Sequence, residues 1–166
     1  MRVEIDAARE ADLPAIGALW NRIIEETTIT FTSARKTEAG LRDWLGAQGD
    51  AGWPVLVARG PGVLGFASYG AFRGGPGYAH VAEHTVYVGE AARGRGVGAA
   101  LMDALAAEAA SRGIAALVAG ISAENAGGLA FHAARGFAEV GRVPGAGRKF
   151  GREIDLVLMH RRIDAG

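Results

Sequence analysis

Glu83-His84-Thr85-Val86-Tyr87-Val88, followed by Arg93-Gly94-Arg95-Gly96-Val97-Gly98 and a helical pattern beginning near Ala99, decides how this chain is read. The first piece is β-branched and aromatic, the composition of a strand. The second is a glycine-spaced loop carrying two arginines. Beyond it Val97, Leu101, Leu105 and Ala109 recur every four residues, one face of a 3.6-residue period. Strand, glycine loop and helix together aim backbone N–H groups at a phosphate. The first turn of a helix leaves its N–H donors unpaired and carries the positive end of the macrodipole. Glycine lets the backbone approach an anion and take up positive φ.

Several readings compete for this loop. Gly94-x-Gly96-x-x-Ala99 matches the dinucleotide fingerprint in form. That fold expects an acidic residue about 20 positions on, at the end of the next strand. Here the next strand, Ile114 to Ala119, runs into Gly120-Ile121-Ser122, and Glu124 arrives late. A Walker loop fails because no Gly-Lys-Ser/Thr follows. The third pattern, Arg/Gln-x-x-Gly-x-Gly/Ala, is filled by Arg93, Gly96 and Gly98. A glycine-rich turn without function is the remaining alternative.

Working outward, Val3 and Ile5 suggest a first strand. Asp12 is placed to cap a helix with Pro14 in its first turn and Leu13, Ile16, Trp20, Ile23 and Ile24 on its apolar face. Thr27 to Ser33 is polar, β-branched and not helical. A second helix follows Thr37, with Leu41, Trp44 and Leu45 as its stripe. Pro54 to Ala58 and Val63 to Phe72 are strands joined by the Gly60-Pro61-Gly62 turn. Arg73 to Tyr78 is a loop before the central strand. Asn125 can cap a helix over Ala126 to Arg135, which Gly136-Phe137 ends. Strands at Phe137–Val143 and Ile154–His160 complete the order β-α-α-β-β-β-α-β-α-β-β, an α/β layer fold with a mixed sheet in a single domain spanning residues 1–166.

Composition bounds the chemistry. Eighteen basic and eighteen acidic residues cancel, so no global field favours nucleic acid or an anionic membrane. The absence of cysteine excludes disulfides, thiol nucleophiles and cysteine metal sites. The early acids Glu4 and Asp6 argue against a signal peptide, and no apolar run approaches the roughly 20 residues that cross a bilayer. The expectation is a cytoplasmic protein without membrane or nucleic-acid partners. His80 and His84 share a face of a regular strand, with Glu83 on the other, but no clustered third ligand is visible and no metal is expected.

The arrangement resembles the GCN5-related N-acetyltransferases, and within them the phosphinothricin and methionine sulfoximine N-acetyltransferases. The resemblance rests on Pro54-Val55-Leu56-Val57-Ala58, Glu83 to Val88, Arg93 to Gly98, Val118-Ala119-Gly120-Ile121 with Asn125, His132 with Gly136-Phe137, and Lys149-Phe150-Gly151-Arg152 with Asp155-Leu156. It implies an acetyltransferase fold with a mixed sheet flanked by helices. The implied reaction is acetyl transfer from acetyl-CoA to the α-amino group of a small amino acid or analogue, in a ternary complex and commonly a homodimer. The alternatives are another small amine, a protein N-terminus, or a CoA-binding domain without catalysis.

The resemblance also assigns residues. Arg93, Gly94, Arg95, Gly96, Val97 and Gly98 would hold the pyrophosphate. Val86, Tyr87 and Val88 would present backbone to the pantetheine arm, with an N–H near Tyr87-Val88 facing the thioester oxygen where negative charge develops. Glu83 would be the base that an amine, mostly protonated at pH 7, requires; set in an apolar strand, its pKa is expected to rise. A structural glutamate paired with an arginine is the alternative. His132 stands where most of the fold's members place a tyrosine, either as proton donor to the departing thiolate or as a packing and orienting group. A free thiol has a pKa of about 8.5, so its thiolate can leave without an acid. Asn125 would touch the pantetheine arm or simply cap its helix. Arg73, suited to hold a carboxylate through paired N–H donors, and Tyr78 fall at substrate-side positions, and Phe31 and Lys149 at positions that line the pocket or a subunit boundary near it. For these, core packing (Phe31) and solvated charge (Arg73, Lys149) are the alternatives. Glu153 replaces a usual tryptophan, and Gly75 stands where some relatives have arginine; both bear on which acceptor is taken.

Overall fold

The computed structural model describes residues 2–163. In chain order it forms β1 (Glu4–Ala7), α1 (Leu13–Glu26), α2 (Glu38–Asp50), β2 (Val55–Gly60), β3 (Gly62–Ala71), β4 (Val81–Val88), α3 (Val97–Ser111), β5 (Ala116–Ser122), α4 (Ala126–Ala134), β6 (Ala138–Lys149) and β7 (Arg152–Arg162). The strands make one seven-stranded sheet ordered β1-β2-β3-β4-β5-β7-β6. Every neighbouring pair is antiparallel except β4 and β5, which the α3 crossover makes parallel. The expected order of elements is the observed one.

Period and burial agree. Val97, Leu101, Leu105 and Ala109 of α3 are all buried against one face of the sheet, in a core that also holds Ala67, Tyr69, Ala82, Leu117 and Val157. On the other face Leu13 and Ile16 of α1 and Leu41 of α2 bury Val57 and Phe66, with Trp20, Trp44 and Tyr87 packed around them. The alternation of β4 follows: Ala82 and His84 are buried on the α3 side, while Glu83 and Tyr87 belong to the α1 side.

Several boundaries differ from the sequence reading. The α1 start is not capped by Asp12, whose backbone is already helical (φ −85°, ψ −19°) and whose carboxylate caps nothing in α1. Instead the carboxylate accepts the Arg9 N–H at 2.7 Å and two N–H groups of Arg59 at 2.5 and 2.8 Å. The Arg59 guanidinium holds its pKa below the ordinary value against the opposing effect of burial. Thr37 does cap α2, its Oγ1 accepting the Gly40 N–H at 3.0 Å. Helix α3 opens at Val97, two residues before Ala99. His80 lies in the turn ahead of β4, not on the strand with His84. Strands β6 and β7 run on to meet in a turn at Phe150-Gly151, because bulges between Glu139 and Gly141 and between Val143 and Gly147 let β6 stay paired past Val143.

Candidate active site

Strands β4 and β5 pair only over Val81–Glu83 and Ala116–Val118. Beyond Glu83 they part: β5 continues against β7 to Ser122, and β4 continues against β3 to Val88. The Gly89 N–H donates to the Leu64 carbonyl at 2.8 Å, and the Phe72 N–H to the Val81 carbonyl at 3.5 Å. Alternate residues of an antiparallel pair bond across it, so odd-numbered residues of β4 bond to β3. Val86 and Val88 therefore turn their backbone groups toward the fork that β5 has vacated. The Val88 carbonyl is taken by Arg93 Nε at 3.3 Å.

A cleft of about 570 Å³ fills this fork. Val86, Tyr87, Val88, Arg93, Gly94, Gly96 and Gly98 line one side, with Asn125 and His132 of the α4 segment opposite. Ile23, Ile29, Ala99, Gly127, Gly128 and Phe131 also line it and were not singled out from the sequence. Their only signal there is proximity: Ile23 lies in the apolar stripe of α1, Ile29 in the Thr27–Ser33 stretch two residues before Phe31, and the others within a few residues of Gly98, Asn125 or His132. Ile23 comes from the α1 face and Phe131 from the α4 face, so the cleft reaches both sides of the sheet. A shallower depression of about 450 Å³, bounded by Arg22, Val63 and Glu90, lies outside the fork, with Arg22 and Glu90 paired at 3.0 Å.

The loop is shaped for an anion. Gly96 is the N-cap of α3 with φ 80° and ψ −4°, a left-handed conformation natural to glycine. Its carbonyl accepts the Ala100 N–H at 3.0 Å. With no side chain at the cap, none accepts the first-turn N–H groups, which stay available to a ligand. Val97 is buried in the core and does not line the cleft. Arg95 is exposed, bonds the Ala91 carbonyl at 3.4 Å and does not line the cleft. Asn125 caps α4, its Oδ1 accepting the Gly128 N–H at 2.9 Å, and it faces the cleft as well.

Glu83 stands at the apex of the fork, in its last paired rung, outside the cleft lining itself. Its Oε1 lies over Gly120 of β5, 3.3 Å from where a β-carbon would stand. Among the described residues it makes no ion pair. Although the residue is exposed, partial loss of surrounding water raises its pKa above the ordinary value, with no cation among the described residues opposing it. His132 lies across the sheet. Its Nδ1 is 2.7 Å from the Gly128 carbonyl and its Nε2 is 2.9 Å from Nε2 of His84. Burial lowers the pKa of both rings, that of His84 to about 3. No local pattern signals this contact, made across 48 residues.

The expected acceptor-side residues do not line the cleft. Phe31 lies against β6, where a β-carbon on Gly147 would come within 2.2 Å of its ring. Lys149 is buried, donates from Nζ to the Thr30 carbonyl at 2.8 Å and has its pKa lowered by burial. Burial raises the pKa of the Tyr87 hydroxyl, an effect that neighbouring Thr30 opposes. The stretch around Thr30 and Phe31 is tied to β6. Arg73 and Tyr78 sit elsewhere, exposed on the β3–β4 loop, with the guanidinium 5.7 Å from the ring centre. Glu153 bonds Arg148 at 2.8 Å, and Gly75 has φ 98° at the head of a short 3-10 turn.

The sequence profile of the Acetyltransferase (GNAT) family matches residues 17–137. This chain belongs to that family. It is 37% identical over 166 residues to an L-methionine sulfoximine/L-methionine sulfone acetyltransferase of Pseudomonas paraeruginosa, covering 99% of this chain and 96% of that one. Among solved structures, a ribosomal-protein-alanine N-acetyltransferase of Brucella melitensis superposes with a TM-score of 0.93 at 41% identity, over 96% and 99% of the two chains. A GNAT phosphinothricin acetyltransferase of Sinorhizobium meliloti in complex with AcCoA superposes with a TM-score of 0.94 at 28% identity, over 100% and 91%. The protein is an acetyl-CoA-dependent N-acetyltransferase, and the fork fits that cosubstrate. It offers open first-turn N–H groups for phosphates and an unpaired strand edge for an amide-bearing arm. No group of three or more metal-binding side chains converges among the described residues, and none of their helices is long and apolar enough to cross a membrane.

Proposed function

We propose that the acceptor is the α-amino group of a small amino acid or amino-acid analogue of the methionine sulfoximine, methionine sulfone or phosphinothricin type. Arg93 to Gly98 hold the pyrophosphate through the backbone of the α3 opening. Val86 and Val88 offer backbone to the pantetheine arm beside Tyr87, and an N–H of this stretch faces the thioester oxygen. Asn125 bonds the arm from the other wall. Acetyl passes directly to the amine, since there is no cysteine and no serine in a nucleophile elbow to carry it.

The observation that carries the reading is Glu83 at the fork apex, in no ion pair among the described residues and with its pKa raised by desolvation. A carboxylate in that condition accepts a proton from an ammonium more readily than a salt-bridged one. Arg73 supplies paired N–H donors for the acceptor carboxylate, and Phe31, Tyr78 and Lys149 shape its side of the site. The 37% identity to the methionine sulfoximine/sulfone enzyme along nearly the whole chain supports this acceptor class.

A second reading, a protein N-terminus as acceptor, is favoured by the 41% identity to the ribosomal-protein-alanine N-acetyltransferase. Thiol release from acetyl-CoA separates the two. The test panel holds methionine sulfoximine, methionine sulfone, phosphinothricin, their decarboxylated amines and an alanine-starting peptide. The amino acids are expected to lead. Preference for the peptide or for the amines overturns the proposal.

A further inference from the structure

The His84–His132 contact fixes where protons can be. A carbonyl oxygen only accepts, so His132 Nδ1, 2.7 Å from the Gly128 carbonyl, carries a hydrogen. The two Nε2 atoms stand 2.9 Å apart, a distance that requires one proton between them. With each ring neutral, that proton belongs to His84, which donates to a bare Nε2 on His132. His84 Nδ1 is then also bare. This agrees with its burial without a hydrogen-bond partner. The competing arrangement puts a proton on His84 Nδ1, toward the Val118 backbone, but it then needs a second proton on His132. That would place an imidazolium in a site whose burial already disfavours charge.

Packing holds the pair rigid. Phe137, itself buried, lies 5.1 Å from the His84 ring and 5.2 Å from the His132 ring, centre to centre. Its N–H donates to the His132 carbonyl at 3.0 Å, and Phe131 meets His132 edge-on at 5.1 Å. On β3, Tyr69 is the cross-strand neighbour of His84.

We propose that His84 is a positioning residue that clamps His132 as a neutral, Nδ1-protonated wall of the acetyl-CoA cleft, leaving it no hydrogen to give the departing thiolate. His132 then orients the cosubstrate and the α4 segment. The thiolate, with a free pKa of about 8.5, leaves unassisted and takes its proton from water. The proposal rests on the cleft's use by acetyl-CoA and not on which amine accepts.

The test begins on the free enzyme, so a wrong acceptor cannot disturb it. Long-range proton–nitrogen correlation of histidine-labelled protein near pH 7, with His84→Gln to identify signals, should show His132 protonated at Nδ1 and bare at Nε2. His84 should show the reverse. A His132 protonated at Nε2, or at both nitrogens, overturns the proposal. Kinetics supply the second arm. Losing one hydrogen bond of about 1 kcal/mol, His84→Phe should raise the acetyl-CoA KM about 5–10-fold and leave kcat within about twofold. His84→Gln, whose amide can still donate, should recover most of that loss. A kcat falling with KM unchanged would put the shared proton in the chemical step and contradict the assignment.

Discussion

The proposed cofactor wall of the fork, residues 93–98 with the head of α4, is made mostly of backbone, whereas the proposed acceptor side draws on side chains from distant segments. On the first wall a left-handed Gly96, an uncapped helix turn and the turned-out edge of β4 do the work within a short run of chain. On the second, Phe31 rests on Gly147, Lys149 bonds Thr30 across 119 residues, and Arg73 and Tyr78 extend from the β3–β4 loop. A backbone site recognises what every acetyl-CoA shares. A side-chain site can be altered one residue at a time, and on the proposed reading it is there that the acceptor is chosen. Glu83 stands between the two, at the last β4–β5 rung.

The largest effect should come from that junction. Glu83→Gln keeps shape and removes the base, so turnover should fall about 10²–10⁴-fold, measured by thiol release, with acetyl-CoA affinity nearly unchanged. Near-normal turnover across pH 6–9 would remove Glu83 from the mechanism. The same variant carries a stability signature of known sign. A raised carboxyl pKa means that charging Glu83 costs the folded state more than the unfolded one. The stability its protonated form confers is fully present below the unfolded value and lost as pH rises through the raised one. Glu83→Gln should therefore melt higher than wild type near pH 7, the gap closing toward pH 4. A variant less stable than wild type at pH 7 would mean that Glu83 holds the fold and not a proton.

Arg73→Ala should act next, and only on the acceptor. Loss of a charged hydrogen bond costs about 1.5–3 kcal/mol, roughly 10–150-fold in kcat/KM for amino acids, with much smaller losses for the corresponding amines. Equal losses for both would make Arg73 a shaper of its loop. Gly147→Ala is the mildest probe. A β-carbon 2.2 Å from the Phe31 ring must displace it, an overpacking cost of about 1–3 kcal/mol. At about 2–4 °C per kcal/mol for a chain of this size, the melting temperature should drop by several degrees. The acceptor KM should rise while acetyl-CoA binding holds. An unmoved acceptor KM would detach Phe31 from the site.

The same division explains what could be read from the sequence. The α3 stripe, the start of α2 after Thr37, the Asn125 cap and the glycine loop are local patterns, governed by helix period and by hydrogen bonds between near neighbours. Each stands where the spacing put it. Asp12 stands where a cap is expected, but Arg59 from a neighbouring strand claims its carboxylate. The length of β6 was hidden because its bulges interrupt the period-two pattern. The burial of Lys149 and the pairing of His84 with His132 depend on contacts between segments far apart in the chain, for which one sequence holds no periodic signal.

The central claim, that the backbone of the α3 opening carries the phosphates of acetyl-CoA and Arg73 takes no part in holding it, is tested most directly by calorimetric titration of acetyl-CoA into wild type, Gly96→Val and Arg73→Ala. Valine at a φ of 80° is strained by about 1–3 kcal/mol, and its branched side chain would stand where the phosphates approach. Affinity should fall at least about tenfold in a folded Gly96→Val protein and stay within about twofold of wild type in Arg73→Ala. A folded Gly96→Val that binds as tightly as wild type, or an Arg73→Ala that weakens equally, would contradict the account.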